Sequence, residues 1–231
     1  MRRPPEHEGR LSTPKTFQPQ SLVARGLRVD RGGRAIVDGV DFDLAAGEAL
    51  LVLGRNGAGK STLLRAIAGL LPLREGGLVF AGGQDHAPLS EQAHYIGHAD
   101  GLKTALTALE NLEFWALMLA SSGAAGLSPR EALNRVGLAR IGDFPVAYLS
   151  AGQKRRVALA RLFVASRPVW LLDEPATALD VGSQEKFAES MAAHRDGGGL
   201  IIAATHAPLG LAGAKELRLD AKRAPRLAGA A

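Results

Sequence analysis

The sequence predicts an α/β fold in which a mixed sheet core carries a small antiparallel β subdomain and an inserted helical lobe. Three observations predict it. An apolar run, residues 49–53, leads through a glycine-rich segment into a stretch of helical composition at 63–68. From Ala151 onward helix-type and strand-type segments alternate, as they do where helices cover a parallel sheet. Between these regions, residues 102–149 are rich in leucine and helix-opening signals.

The elements follow in order. Residues 1–20 hold Pro4, Pro5, Pro14 and Pro19 among charges and little apolar content, and are expected to form a disordered leader. The folded domain is expected over 21–220. Its first strands, 22–29 with a break at Gly26 and 36–44 where Val40, Phe42 and Leu44 alternate with Asp41 and Asp43, read as the small antiparallel sheet. Further strands are expected at 76–80 and 93–96, separated by a loop over 82–86. The lobe contains helices near 106–120 and 128–136, the second opening on Ser128-Pro129-Arg130-Glu131, with Ser121-Ser122-Gly123 as the loop between them. After it come a helix over 151–166, a strand over 169–172, a helix over 182–195, and strands over 200–205 and 217–219. A basic, Pro/Ala-rich tail over 221–231 is expected to be flexible. No internal repeat is visible.

Composition narrows the function classes. A chain of 231 residues with 46% apolar content can build one domain core with an inserted lobe. No apolar run approaches the roughly 20 residues needed to cross a bilayer; the longest candidate, 112–119, contains Glu113. The basic start, Met1-Arg2-Arg3-Pro4-Pro5, lacks the apolar core of a secretion signal. The absence of cysteine excludes disulfides, thiolate zinc sites, thiol catalysis and covalent haem attachment through Cys-x-x-Cys-His. The six histidines show no metal-ligand spacing. A net charge of +5 spread along the chain favours a phosphate-bearing or membrane-surface partner over nucleic acid.

Three stretches carry chemistry. The first is Gly54-Arg55-Asn56-Gly57-Ala58-Gly59-Lys60-Ser61-Thr62. Its glycines let backbone amides turn inward around a phosphate chain, and the following helix adds its positive end. Lys60 reaches the β- and γ-phosphates, Ser61 is placed to ligate Mg²⁺, and Thr62 is expected at the α-phosphate. A ligand-free glycine turn is the alternative, but Gly, Lys and Ser all match within a strand–loop–helix context. The second stretch, 168–175, is a buried-strand pattern ending on Asp173 and Glu174. Asp173 is placed to hold Mg²⁺ through water and Glu174 to polarise an attacking water; an acidic helix-capping pair is the competing account. The third, Leu149-Ser150-Ala151-Gly152-Gln153, opens a helix with Ser150 as N-cap and free amides at Ala151 and Gly152. Lys154, Arg155 and Arg156 follow, either as a solvated basic face or in support of an anion docked at the helix end.

The order of phosphate loop, helical lobe, Ser150 pentapeptide, acidic strand end and Thr205-His206 resembles the ATP-binding cassette (ABC) ATPases. The resemblance implies a P-loop NTPase fold of ABC type that uses ATP and Mg²⁺. It implies a head-to-tail homodimer in which Ser150, Ala151, Gly152 and Gln153 meet the γ-phosphate held by the other subunit. It places Asp180, at the end of Ala176-Thr177-Ala178-Leu179-Asp180, in a loop crossing to the partner site, and gives His206 the γ-phosphate as a ligand. Three departures stand out. Ala151 replaces a glycine. Asp30-Arg31 stands where an adenine-stacking aromatic is usual, so that Arg31 stacks its guanidinium on the base or lies free in solvent. His98 falls where a glutamine normally ligates Mg²⁺ and water, a contact that imidazole can also make.

Residues 95–112 and 149–162 resemble more closely the ATP-binding subunits of cytochrome c maturation (Ccm) haem exporters, and the likeness runs over about 22–219. It implies a peripheral protein on the cytoplasmic face of the inner membrane, docked to integral membrane permease subunits. Hydrolysis would serve a periplasmic haem chaperone by driving its release when loaded. A cassette of another exporter, for lipid, drug or metabolite, would share the catalytic residues. A cassette acting on ribosomes or DNA generally pairs two cassettes in one chain or carries a long coiled-coil insertion, and neither is visible here.

Overall fold

The computed structural model describes residues 16–84, 87–120, 124–219 and 227–228. Most of the expected leader, Asp85 and His86, the Ser121-Ser122-Gly123 loop and most of the expected tail lie outside the described residues. The described chain is already anchored at Phe17, whose N–H donates to Gly197 O at 2.7 Å and whose ring meets the His194 ring edge-on. Within the expected tail, β11 (Leu227–Ala228) pairs antiparallel with β10.

Two sheets organise the domain. β1 (Ser21–Arg31), β2 (Arg34–Ala45) and β4 (Glu75–Ala81) form an antiparallel sheet in the order β2-β1-β4. The register of β1 shifts between Ala24 and Leu27, where Gly26 breaks the alternation. The second sheet runs β11-β10-β3-β9-β8-β5, with β3 (Ala49–Leu53), β5 (Ala93–Ile96), β8 (Val169–Asp173), β9 (Leu200–Ala204) and β10 (Lys215–Arg218) all parallel. β6 (Ala124–Ala125) and β7 (Ala165–Ser166) make a separate two-residue pair. The helices are α1 (Lys60–Ile67), α2 (Leu89–Gln92), α3 (Ala108–Leu119), α4 (Pro129–Arg135), α5 (Ala151–Val164) and α6 (Val181–Asp196).

The period of two in the parallel strands sorts side chains into two cores. Leu50, Val52, Val169, Leu171, Leu200 and Ile202 pack with α1 and the antiparallel sheet on one face. Trp170, Leu172, Ile201 and Ala203 pack on the other against Leu159 and Leu162 of α5 and Phe187 and Met191 of α6. A third core joins α3 and α4 to Val157, Ala160 and Val164 of α5, so the lobe expected over 102–149 is completed by a helix that also covers the sheet. Both lobe helices open on reciprocal capping boxes, Thr107 with Glu110 and Ser128 with Glu131. Asn111 folds the approach to α3, accepting from Lys103 N–H at 2.8 Å and donating to Lys103 O at 3.0 Å and Thr107 O at 2.8 Å.

Two histidines are built into the cores as neutral groups. In β5, burial first and then Arg167 and Arg161 lower the pKa of His94 to about 3, while its Nε2 lies 2.8 Å from Ala165 O. Burial lowers that of His194 to about 4; its ring stacks on Trp170 at 4.0 Å. Between these values and the ordinary 6.5, protons bind the unfolded chain and not the fold. Their contribution to stability is therefore complete above pH 6.5 and is lost as pH falls, by about 1.4 kcal/mol per pH unit for each histidine. Urea midpoints should fall between about pH 7.5 and about pH 5, and His94→Gln should flatten the fall. An unchanged slope in that variant would contradict the assignment.

Candidate active site

β3 ends beneath the glycine-rich segment 54–59, and α1 begins at Lys60. Gly59, the N-cap, has φ +100°, and a Cβ there would stand 2.9 Å from Ile36 O and 3.1 Å from Ile36 Cγ2. Both backbone conformation and the neighbouring strand β2 thus demand glycine. No side chain caps α1 and its first turn holds no acid, whereas Thr107, Ser128, Ser150 and Asp180 cap α3, α4, α5 and α6. The amides and dipole at the start of α1 are left for an anion. Lys60 is buried, with Nζ donating to Gly54 O at 2.8 Å and Arg55 O at 3.4 Å. Arg55, Asn56 and Gly57 are exposed, Ala58 and Thr62 are buried, and Ser61 is half-buried.

Three adjacent parallel strands bring their carboxyl ends to this loop. Val52 pairs with Ala204, and Ala204 with Asp173. The residues just beyond them, Glu174 and Thr205-His206, therefore arrive at the same edge. His206 Nε2 lies 2.8 Å from Lys60 Nζ, 2.8 Å from Asn56 Oδ1 and 3.6 Å from Glu174 Oε1. One ring nitrogen accepts from Lys60 or donates to Asn56, so the pairing depends on the His206 tautomer. The His206 N–H also donates to Glu174 Oε2 at 3.4 Å.

Asp173 is 2% exposed, and its Oδ2 has no hydrogen-bond partner among the described residues. A buried carboxylate oxygen without a donor fits a site completed by a cation or its water. Burial first, and then Asp173, raise the pKa of the neighbouring Tyr95 hydroxyl against Arg65, whose Nε donates to it at 3.2 Å. Glu174 holds φ +48° and donates its N–H to Ala204 O at 2.8 Å. A non-glycine residue in the left-handed region costs on the order of 1–3 kcal/mol and persists only where its surroundings enforce it.

The surroundings include Arg155. The sequence left Lys154–Arg156 either as a solvated basic face or in support of an anion docked at the helix end, but Arg155 is only 3% exposed. Its guanidinium bonds Asp173 O at 3.0 Å, Glu174 O at 2.8 Å and Pro175 O at 3.2 Å, and also Gly97 O at 2.9 Å and Asp100 Oδ1 at 3.1 Å. One turn and a half further along α5, Arg161 donates to Asp100 O at 3.0 Å and Tyr95 O at 3.3 Å and lies over the Trp115 ring at 3.8 Å. Burial first lowers the pKa of Arg161, to about 10. The spacing of Arg155, Leu159 and Leu162 on one helical face was the signal for this burial.

The remaining candidate residues lie away from Lys60 and His206, and some are held by local partners. Ser150 accepts from Gln153 N–H at 3.2 Å while Gln153 Oε1 accepts from Ser150 N–H at 2.8 Å, a capping box that leaves Ala151 exposed. A Cβ on Gly152 would stand 2.7 Å from Ala178 O, and Ala178 itself has φ +64°. Asp180 caps α6 by accepting from Ser183 N–H at 2.7 Å; hydrogen bonds from Ser183 hold its carboxyl below the usual range, with Arg156 and Lys186 adding to the effect. The pentapeptide makes no hydrogen bond to residues 54–62 among the described residues. His98 follows β5 with its side chain exposed and makes no hydrogen bond among the described residues. Arg31, before the Gly32-Gly33 turn, is exposed as well.

A family model described as ABC transporter matches residues 37–177. The chain is 54% identical over 200 residues to the cytochrome c biogenesis ATP-binding export protein CcmA of Rhodopseudomonas palustris (strain BisB5), covering 87% of this chain and 98% of that one. It is 54% identical over 201 residues to the protein of the same name from Chelativorans sp. (strain BNC1), with the same coverage. Among solved structures it is similar to a dimeric ATP-binding cassette in a post-hydrolysis state bound to ADP and Pi. That match has TM-score 0.74 and 24% identity, and covers 90% of this chain and 97% of the other.

The close approach at Gly152 predicts a measurable cost. Gly152→Ala should destabilise the chain by about 1–3 kcal/mol through overpacking against Ala178, read as a lowered urea midpoint at unchanged m-value. A midpoint equal to wild type would show that residues 176–180 yield freely.

Proposed function

The chain belongs to the ABC transporter family, and on that footing we propose that it is the ATP-hydrolysing subunit of an exporter in cytochrome c biogenesis, coupling hydrolysis to haem delivery and to release of a haem-loaded periplasmic chaperone. The observation that carries the chemistry is the convergence of Lys60, Asp173, Glu174 and His206 at one sheet edge. The cargo reading is supported by relatives more than half identical that bear the CcmA name.

In this reading the amides of residues 54–60 and the Lys60 ammonium bind the β- and γ-phosphates, replacing the loop carbonyls that Lys60 now contacts. Glu174 takes the proton of the attacking water, held at the edge by its strained backbone. His206 hydrogen-bonds the γ-phosphate oxygen and so links Glu174 to Lys60. Ser61 and Asp173 hold Mg²⁺, the unpartnered Asp173 Oδ2 being the observation that fits it. When bound, Mg²⁺ neutralises charge on the β- and γ-phosphates.

Ser150, Ala151, Gly152 and Gln153 lie on the lobe side of the molecule without a bond to their own phosphate loop. Two copies related by a twofold axis would complete each other's sites, Asp180 lying at the crossing loop. His98 acts at the lobe junction and Arg31 at the adenine. The lobe exposes Leu117, Met118, Phe144 and Tyr148, apolar area suited to integral membrane subunits at the cytoplasmic face. No helix among the described residues is long and apolar enough to cross a membrane itself.

Glu174→Gln tests both halves. In the full chain kcat should fall by about 10²–10⁴-fold with KM for ATP little changed. In cells the variant should accumulate haem-loaded chaperone and lose c-type cytochromes. Normal cytochromes beside an active purified wild-type ATPase would retain the catalytic reading and overturn the cargo.

A further inference from the structure

We propose that Arg155 is a positioning residue for hydrolysis: its buried guanidinium holds the backbone of Glu174 in its strained conformation and ties it to the 97–100 loop, so that α5 of the helical lobe sets the aim of the Glu174 carboxylate. This rests on the reading of Glu174 as the group that polarises water.

The geometry is specific to arginine. The guanidinium offers five N–H donors in a rigid plane, and five acceptors meet them: the carbonyls of Asp173, Glu174, Pro175 and Gly97, and the Asp100 carboxylate. Three of those carbonyls are consecutive. Fixing the carbonyls on both sides of and at Glu174 fixes its φ and ψ, and with them the direction of its side chain. Such clamping is what a residue at φ +48° requires, because unconstrained backbone would relax toward negative φ. The remaining two acceptors belong to the loop that bears His98. Arg155 sits two residues beyond the pentapeptide on the same helix, whose start is packed on Ala178 O through Gly152. A displacement of α5 therefore reaches Glu174 and the His98 loop through one side chain. Lys154 and Arg156, its neighbours, make no bond to residues 173–175 among the described residues.

Lysine keeps the charge but offers a single nitrogen that cannot span three carbonyls, and glutamine offers two donors. In full-chain Arg155→Lys and Arg155→Gln, kcat should fall by about 100-fold, the scale for a catalytic group displaced by about 1 Å. KM and the affinity for a fluorescent ATP analogue should stay within about twofold, since the phosphate loop is untouched. The decisive comparison combines each change with Glu174→Gln. If Arg155 acts through Glu174, the double variants hydrolyse ATP as slowly as Glu174→Gln alone and no slower. Turnover within about threefold of wild type in both single variants overturns the proposal. So do losses that multiply in the double variants, losses shared equally by nucleotide affinity, or failure of both variants to fold, each of which marks a structural role. A Glu174→Gln enzyme as active as wild type would instead remove the reading beneath it, and that result is visible without any change at Arg155.

Discussion

The parallel register of β3, β9 and β8 is the constraint on which the site depends. Because Val52, Ala204 and Asp173 stand level, the chain leaves all three strands at one edge, and groups distant in sequence arrive together. Ligand sites of open α/β sheets lie at carboxyl strand ends for this reason. Here the edge receives Lys60 from the loop after β3, Glu174 from the end of β8 and His206 from the end of β9, with His206 within hydrogen-bonding or ion-pairing reach of the other two. The antiparallel sheet adds the closing wall: Ile36 of β2 presses on Gly59 and shapes the loop from outside.

α5 serves three surfaces at once. Its start carries the exposed capping box of Ser150 and Gln153, one face closes the sheet through Leu159 and Leu162, and another completes the lobe through Val157, Ala160 and Val164. A helix shared in this way moves only with both of its cores. The arginines at 155 and 161 extend it to the loop after β5, and Trp115 under Arg161 extends it to α3. Lobe and strand edge thus form a contiguous set of packed and hydrogen-bonded groups, which is the physical requirement for passing a displacement between them.

Much of this was legible in the sequence because the informative residues are local. The phosphate loop needs glycines at fixed places, the buried strand 169–172 is a continuous apolar run, and the helix opening Ser128-Pro129-Arg130-Glu131 lies within one turn. Glu110 and Asn111, within the stretch that carries the closer family resemblance, have structural work in folding the approach to α3. What stayed hidden depends on distant partners. Arg155 cannot be told from its neighbours Lys154 and Arg156 in the sequence until its acceptors, 18 to 58 residues away, are assembled around it. Phe17 looks like part of a proline-rich leader because its partners, Gly197 and His194, lie at the other end of the chain. His94 and His194 look titratable, and only their burial makes them neutral core residues.

The claim that this edge reads a third phosphate is tested most directly at His206. The affinities of the full chain for a non-hydrolysable ATP analogue and for ADP should be measured side by side in wild type and His206→Ala. The account predicts that wild type favours the triphosphate and that the variant loses this preference by weakening for the analogue alone, with ADP affinity unchanged. Equal preference in both proteins would contradict it, and would mean that the contact between His206 and Lys60 belongs to the fold and not to the recognition of ATP.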